Sequence, residues 1–225
     1  PRNAAIATTS NALLSLAKIY QDGMSQASAT GSTKGTPSVR NILALYYLSL
    51  SLHPSPSTAN NVGILLAGIQ NNGNVKIPRP PPGRSTLPEI PGVTPGSGVA
   101  LALAYYNYGL SLDSRHAHLY TNLGSLLKDI GQLQPAIKMY EQAVKYDGNF
   151  DIALANLANA VKDAGRINDA ITYYRRAVKV NPDFAEAVCG LANALNSVCN
   201  WTGRGGLVNT YGFKDRWHVD DQGML

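Results

Sequence analysis

Large and small apolar residues follow one another at helical spacing in the second half of the chain, and the pattern recurs at a fixed interval. Leu123 precedes the small Gly124, and Leu127 lies one helical turn further along the same stripe. The large side chains would line one face of a helix, and the small residue would let a second helix approach closely. The same order returns twice at 34-residue intervals, in Leu157, Ala158 and Val161 and in Leu191, Ala192 and Leu195. Each copy is therefore predicted to be the first helix of a helical hairpin.

The residues that follow predict the turn and the second helix of each hairpin. Gly131 and Gly165 stand where a left-handed residue would end the first helix. Gly148 and Pro182 are predicted to end the second helices. Small and aromatic residues recur in register along the predicted second helices, namely Ala136, Tyr140 and Ala143, and then Ala170, Tyr174 and Ala177. A hairpin that recurs every 34 residues has the period of the tetratricopeptide repeat. The sequence therefore predicts an all-α fold, a helix-turn-helix solenoid wound into a superhelix.

The first half of the chain carries the same pattern with an insertion inside each hairpin. Residues 1–57 are predicted to be one interrupted hairpin, with a Ser/Thr/Gly-rich insert from about Ser25 to Pro37. Residues 58–116 are predicted to be a second, interrupted by a Pro/Gly-rich insert at about 71–98. Both inserts are expected to be disordered, although the proline-rich run at 76–83 leaves open a role as a polyproline ligand. Regular repeats are predicted for residues 117–199, and a linker for residues 200–225.

Composition and charge exclude several classes of function. The net charge is +5, no run of Lys or Arg exceeds two residues, and no basic stripe is interleaved with aromatic residues. No nucleic-acid partner is therefore expected. No apolar stretch is long enough to cross a bilayer, which predicts no membrane partner. The two cysteines, Cys189 and Cys199, are interpreted as reduced, packed thiols of a cytoplasmic and nuclear protein.

The chain shows no side chains with the spacing of a catalytic or metal centre. His116 and His118 stand together, but no Cys or carboxylate has a spacing that would complete a metal site with them. Asp220 and Asp221 form a lone acidic pair near the last residue. No catalytic residue, metal or cofactor is therefore predicted for this chain.

Asparagine recurs at one position of the repeat, directly before the large and small apolar pair. Asn61, Asn122 and Asn156 share this position and are called the asparagine ladder below. Asn159 and Asn193 recur one helical turn further on. A side-chain amide both donates and accepts hydrogen bonds, and first helices line the concave face of such a superhelix. These five asparagines are therefore predicted to contact the backbone of an extended protein or peptide partner, with little regard for its sequence.

Residues 187–202 add a resemblance to a known enzyme family. They read Ala-Val-Cys-Gly-Leu-Ala-Asn-Ala-Leu-Asn-Ser-Val-Cys-Asn-Trp-Thr. With the ladder, this run resembles the end of the repeat region in the O-linked N-acetylglucosamine (O-GlcNAc) transferases of the nucleus and cytoplasm. The segments at 203–206, Gly-Arg-Gly-Gly, and at 215–221, Asp-Arg-Trp-His-Val-Asp-Asp, resemble fungal members in particular. The family's ladder carries over to Asn61, Asn122 and Asn156. Gly190 replaces asparagine in the last copy, and Ser15 replaces it in the first hairpin.

What the resemblance implies concerns a longer protein. Such an enzyme transfers N-acetylglucosamine from UDP-GlcNAc to Ser and Thr hydroxyls of proteins, without a metal. Its catalytic part is expected after Leu225, so UDP-GlcNAc would bind only through that missing domain. The chain begins at Pro1 without a methionine and is expected to be a fragment. Its implied role is to recruit protein substrates for the enzyme.

Two other interpretations stay open. A free-standing adaptor or co-chaperone scaffold would hold acidic C-terminal peptides through basic residues of the concave face, and Lys128 and Lys162 recur at the repeat interval. A self-associating array would instead bury the apolar face of a terminal repeat, for example in a homodimer.

Overall fold

Helices account for all the regular structure in the described part of the chain. The structure is a computed structural model that describes residues 2–30, 38–69 and 93–199. Its helices are α1 (Arg2–Thr30), α2 (Val39–Leu52), α3 (Pro56–Ala67), α4 (Gly98–Leu112), α5 (Ala117–Asp129), α6 (Leu133–Tyr146), α7 (Asp151–Asp163), α8 (Ile167–Val180) and α9 (Ala185–Ser197). No strand occurs within those three ranges, so the predicted all-α class is confirmed. None of these helices combines the length and apolar character that crossing a membrane requires.

Several predicted segments lie outside the described residues. They are the end of the Ser/Thr/Gly-rich insert, most of the Pro/Gly-rich insert with its proline run, the acidic pair, and the linker at 200–225 with Trp201 of the family-like motif. The helix α1 continues to Thr30, beyond Ser25, where the first insert is predicted to begin. The division of the chain into four segments stays a prediction.

The second half of the chain has the regularity that the sequence predicts. First helices begin at Ala117, Asp151 and Ala185, and second helices begin at Leu133 and Ile167. Each kind of helix therefore recurs every 34 residues, which is the period of the sequence pattern.

Two glycines make the turns inside the regular hairpins. Gly131 and Gly165 have φ angles of 79° and 82°. The N–H of Gly165 donates to the carbonyl of Lys162, and the N–H of Arg166 donates to the carbonyl of Val161; each N···O distance is 2.9 Å. Such a pair of bonds satisfies the last carbonyls of a helix and needs a left-handed residue between them. The predicted left-handed caps are confirmed.

The chain divides into two compact units, Pro1–Leu126 and Leu127–Leu225, with the boundary inside α5. In the first unit α1 packs on α2, α2 on α3 and α3 on α4. In the second unit α6 packs on α7, α7 on α8 and α8 on α9. The consecutive packing is that of a solenoid, in which each hairpin contacts its neighbours in the sequence.

Small residues let the helices of the first unit approach closely. A Cβ atom on Gly63 of α3 would collide with the ring of Tyr106 on α4, which explains the small residue at this repeat position. Between α1 and α2, the hydroxyl of Ser10 donates to the carbonyl of Ser49 at 2.9 Å, and that of Ser49 donates to the carbonyl of Ser10 at 3.0 Å. Both serines are buried, so each hydroxyl has the partner that burial demands.

The core of the second unit joins three helices. Leu154 on α7, Ala177 on α8 and Ala187 on α9 are fully buried against one another. The predicted core residues of the two regular hairpins are buried as well, among them Tyr140, Leu157, Ala158, Ala170 and Tyr174. Alanine dominates the contacts because helix axes can approach closely only where side chains are small.

The last copy of the repeat differs from this pattern. Leu191 is half-buried and Ala192 is exposed on α9, whereas the equivalent Leu157 and Ala158 on α7 are buried. Cys189 and Cys199 are also exposed, so the interpretation of both cysteines as packed thiols is wrong. Cys199 lies beyond the end of α9 with a φ of 50°, and no described helix covers either thiol.

Candidate functional site

The first unit contains two ladder asparagines on two first helices. Asn61 lies on α3 and Asn122 on α5, and both are half-buried. The Nδ2 of Asn122 donates to the Oδ1 of Asn60, 2.8 Å away. Asn60 precedes Asn61 on α3 and is buried. The Asn122 amide therefore keeps one N–H and its carbonyl oxygen for a partner, and within the described residues Asn61 makes no side-chain hydrogen bond.

The second unit contains the third ladder asparagine, Asn156 on α7. Its neighbours Ala155 and Leu157 are buried, whereas Asn156 is half-buried. Its amide makes no hydrogen bond to any residue that the structure describes. A polar group left half out of water without a partner keeps its capacity to bind one.

Asn159 lies one turn further along α7 and is engaged inside the protein. Its Oδ1 accepts a hydrogen bond from the hydroxyl of Tyr174 on α8. Its Nδ2 donates to a carboxylate oxygen of Glu186 on α9, 3.1 Å away. Burial raises the pKa of Tyr174 to about 12, with the charges of Asp163 and Glu186 adding to the effect, so the hydroxyl keeps its proton near neutral pH. Asn159 therefore joins three helices and has one N–H left for a ligand.

The ladder stops at α9 for a steric reason. Gly190 occupies the ladder position of the last copy, and a Cβ atom there would collide with the ring of Tyr174. Asparagine cannot stand at this position unless the buried tyrosine moves. Asn193 lies one turn further on, exposed on α9; its side-chain amide makes no hydrogen bond to the described residues, and its backbone carbonyl accepts one from the hydroxyl of Ser197 at 2.8 Å. That any of the five asparagines contacts a peptide stays a prediction.

Lys128, one of the two recurring lysines that could bind an acidic peptide, already forms an ion pair within the protein. Lys128 Nζ lies 3.0 Å from Asp163 Oδ2, and both side chains are partly exposed. The stabilisation from such a pair is small, about 1 kcal/mol or less. The ion pair matters more for ligand binding than for stability, because Asp163 offsets the positive charge that would attract an acidic peptide.

Asn60 and Glu186 are polar partners of the candidate site that the repeat pattern does not reveal. The residues at the position of Asn60 in the regular repeats are Thr121, Ala155 and Cys189, and those at the position of Glu186 are His118 and Ile152. Because neither residue type recurs, only the adjacency of Asn60 to Asn61 could have drawn attention to it. Among the described residues, no group of three or more His, Cys, Asp or Glu side chains is placed to hold a metal ion.

His116 caps the first turn of α5. Its Nδ1 accepts from the backbone N–H of Leu119 at 3.3 Å, and its Nε2 lies 3.5 Å from the hydroxyl of Ser57 on α3. Burial lowers the pKa of His116, nearby His118 lowers it further, and Asp113 opposes them. Since Nδ1 must be unprotonated to accept a hydrogen bond, the folded protein favours the neutral ring.

We expect the free energy of unfolding to fall as the pH drops from about 7.5 to about 5.5, and to fall less in a His116→Asn variant. The folded pKa of His116 lies below the unfolded one, so its stabilisation is fully present above the unfolded pKa and is lost as the pH falls through the folded pKa. Asparagine accepts the same capping bond but does not titrate. Urea unfolding of both proteins at both pH values measures the difference, and equal losses would contradict this assignment.

Two family models match the regular repeats. One, described as "Tetratricopeptide repeat", matches residues 117–150, and the other, described as "TPR repeat", matches residues 159–196. No curated protein sequence matches the chain. The chain therefore contains tetratricopeptide repeats, as the 34-residue period predicts.

Solved structures agree on the fold. Pseudomonas aeruginosa PilF gives a TM-score of 0.63 at 13% sequence identity, over 88% of this chain and 72% of that chain. MamA gives a TM-score of 0.53 at 18% sequence identity, over 82% of this chain and 83% of that chain. An O-GlcNAc transferase of Thermobaculum terrenum gives a TM-score of 0.41 at 24% sequence identity, over 44% of this chain and 19% of that chain. This TM-score is too low to support a shared activity. The first two similarities support an all-α tetratricopeptide solenoid and nothing about function.

Proposed function

We propose that this tetratricopeptide chain binds extended polypeptide segments through the side-chain amides of its asparagine ladder. One observation carries the proposal: Asn61, Asn122 and Asn156 occupy the same repeat position, are half-buried, and keep donors and acceptors without partners among the described residues. Solenoids of this kind use the surface of their stacked repeats to bind other proteins.

The chemistry of the ladder favours an extended backbone as its ligand. A side-chain amide carries the same N–H and C=O groups as a peptide unit, so the two can exchange hydrogen bonds without contacting the ligand's side chains. An extended segment exposes these groups at regular intervals, whereas a helix uses them internally. Binding of this type is broad in sequence and weak, because each net hydrogen bond contributes only about 1 kcal/mol.

We further propose that the whole protein is a protein O-GlcNAc transferase of the cytoplasm and nucleus, and that this chain recruits its substrates. The support is the likeness of residues 117–201 to that family, with the ladder positions and the Cys-Asn-Trp run at 199–201. Ser/Thr-rich segments with little regular structure would be the substrates. Asn159 and Asn193 belong to the same proposed surface, Asn159 through its remaining N–H and Asn193 as an exposed amide.

The co-chaperone alternative has less support from the geometry. Binding of an acidic C-terminal peptide needs uncompensated positive charge, and Lys128 is paired with Asp163 at 3.0 Å. Glu186 adds a carboxylate on α9 beside Asn159. Both features oppose an acidic ligand at this face of the second unit.

Peptide binding to the purified chain tests the proposal. A fluorescein-labelled Ser/Thr-rich peptide without acidic residues is expected to bind with little dependence on salt, because hydrogen bonds are screened less than exposed charges. A peptide with an acidic C-terminal tail is expected to bind more weakly. Tight, salt-sensitive binding of the acidic peptide alone would instead support the adaptor interpretation.

The enzyme proposal needs its own assay. The full-length product of the gene is expected to transfer N-acetylglucosamine from UDP-GlcNAc to Ser/Thr-rich proteins, and deletion of the repeats should reduce transfer to proteins more than transfer to short peptides. A full-length product without any transferase activity would end the enzyme proposal while leaving peptide binding by the ladder intact.

A further inference from the structure

We propose that Asn60 is a positioning residue, which fixes the amide of Asn122 in the orientation that binds a peptide backbone. The inference rests on the proposed function of the ladder. It concerns a residue outside the ladder, one that no recurrence in the sequence singles out. The observation that carries it is the hydrogen bond from Asn122 Nδ2 to Asn60 Oδ1, 2.8 Å long, between α3 and α5.

Packing alone does not account for an asparagine at position 60. The residue is buried, and a buried amide is unfavourable unless it is hydrogen-bonded. On α7 the equivalent residue is Ala155, which is fully buried, so an apolar side chain can fill this place on a first helix. Thr121, the equivalent residue on α5, satisfies its hydroxyl on its own helix through the carbonyl of Ala117 at 3.0 Å. Asn60 is distinct because its side chain reaches a ladder residue on another helix.

The hydrogen bond has a consequence for the ligand. An unrestrained asparagine samples several rotamers, and binding must select one of them at a cost in entropy. With one N–H of Asn122 held by Asn60, the amide plane is fixed before the ligand arrives. The other N–H and the carbonyl oxygen remain, and they are the pair that a peptide unit of the ligand needs.

The bond also restricts which substitutions can support binding. Asn60 acts as the acceptor, so an acceptor must stay at position 60 for Asn122 to keep its orientation. Aspartate has the same shape and accepts through either oxygen, whereas leucine has a similar volume and cannot accept. The two variants therefore separate the hydrogen bond from the packing.

Affinity measurements on Asn60 variants test the proposal, with the fluorescein-labelled Ser/Thr-rich peptide as the probe. Asn60→Leu is expected to weaken binding roughly two- to tenfold, the effect of freeing one side chain that must then be ordered. Asn60→Asp is expected to retain affinity within about twofold, even if burial of its charge lowers the melting temperature. Asn60→Ala, which also removes the acceptor, replaces Asn60→Leu should the latter not fold.

Coupling to Asn122 distinguishes positioning from a general loss of structure. In an Asn122→Ala background, Asn60→Leu should cause no further loss of affinity, because the residue that it positions is gone. The matched control is Asn107→Leu, since Asn107 is exposed on α4 and its amide donates only to the carbonyl of Leu103 on its own helix. That variant should bind the peptide like the native chain.

The outcomes distinguish a failure of the positioning role of Asn60 from a failure of peptide binding by the ladder. If Asn122→Ala weakens binding and Asn60→Leu does not, the positioning role is wrong and the ladder stands. An equal loss from Asn60→Leu with and without Asn122 also overturns the positioning role. If Asn122→Ala itself leaves the affinity unchanged, Asn122 does not contact the peptide, and Asn60 cannot act by positioning it.

Discussion

Replacing Tyr174 by alanine is expected to lower the free energy of unfolding by about 3–5 kcal/mol, the range for removing a large buried aromatic side chain. Tyr174 is fully buried, its ring lies against Gly190, and its hydroxyl donates to Asn159. The substitution therefore removes a contact between α8 and α9 and a hydrogen bond to α7. In a solenoid, where each repeat is stabilised by its neighbours, such a loss is expected to unfold the last repeats first.

Urea unfolding followed by circular dichroism measures the loss, and two variants serve as controls. Tyr174→Phe keeps the ring and is expected to cost about 1 kcal/mol for the hydroxyl. Tyr146→Ala removes a tyrosine that is exposed on α6 and should cost about 1 kcal/mol or less. Equal losses for Tyr174→Ala and Tyr146→Ala would show that Tyr174 does not hold the last repeats together.

Replacing Asn61, Asn122 and Asn156 together by alanine is expected to weaken peptide binding by roughly tenfold to a thousandfold. The estimate takes about 0.5–1.5 kcal/mol for each lost hydrogen bond, summed over three sites. Alanine is a strong helix former, so the first helices should persist. Net charge does not change, so an electrostatic explanation of the loss is excluded by design.

The matched control is an asparagine of similar setting outside the first helices. Asn168 is exposed on α8, its side-chain amide makes no hydrogen bond to the described residues, and its backbone carbonyl accepts one from the hydroxyl of Thr172. Asn168→Ala should leave the affinity unchanged. Asn122→Ala also leaves the buried Oδ1 of Asn60 without its partner, so circular dichroism at the assay temperature must show that the triple variant is folded. A folded triple variant with native affinity would refute the ladder.

The regular features of the fold could be predicted because each depends on residues close in the sequence. The starts of α5, α7 and α9 follow from the spacing of apolar residues, and the turns at Gly131 and Gly165 follow from the left-handed backbone that glycine favours. Position in the repeat also predicts the burial of Tyr174. Such features recur, so each copy of the repeat supports the prediction for the others.

The candidate site was less predictable because its contacts join residues far apart in the sequence. Asn159 has the same residue type and helix as Asn156, yet Tyr174 and Glu186 occupy most of its amide. Gly190 looks like a simple departure from the ladder, but its cause is the ring of Tyr174 on the preceding helix. These partners are known only once the packing of α7, α8 and α9 is known.

The exposure of α9 could not be predicted from the sequence for a related reason. The pattern places Cys189 and Ala192 on a first helix, where the equivalent Ala155 and Ala158 are fully buried. Both are exposed on α9, whereas Ala155 packs against Ala177 on α8 and Ala187 on α9, the two helices that follow α7. Periodicity gives the position of a residue in its repeat, and the neighbouring repeats decide its burial.

Contact between the ladder amides and the backbone of the bound segment can be observed in the side-chain amide resonances of ¹⁵N-labelled protein. On titration with the Ser/Thr-rich peptide, the Nδ2 resonances of Asn61, Asn122 and Asn156 are expected to shift together along one binding curve. Those of Asn107 and Asn168 should not move. Saturable binding that shifts the two control resonances and leaves the three ladder resonances in place would show that the ladder amides do not contact the bound segment.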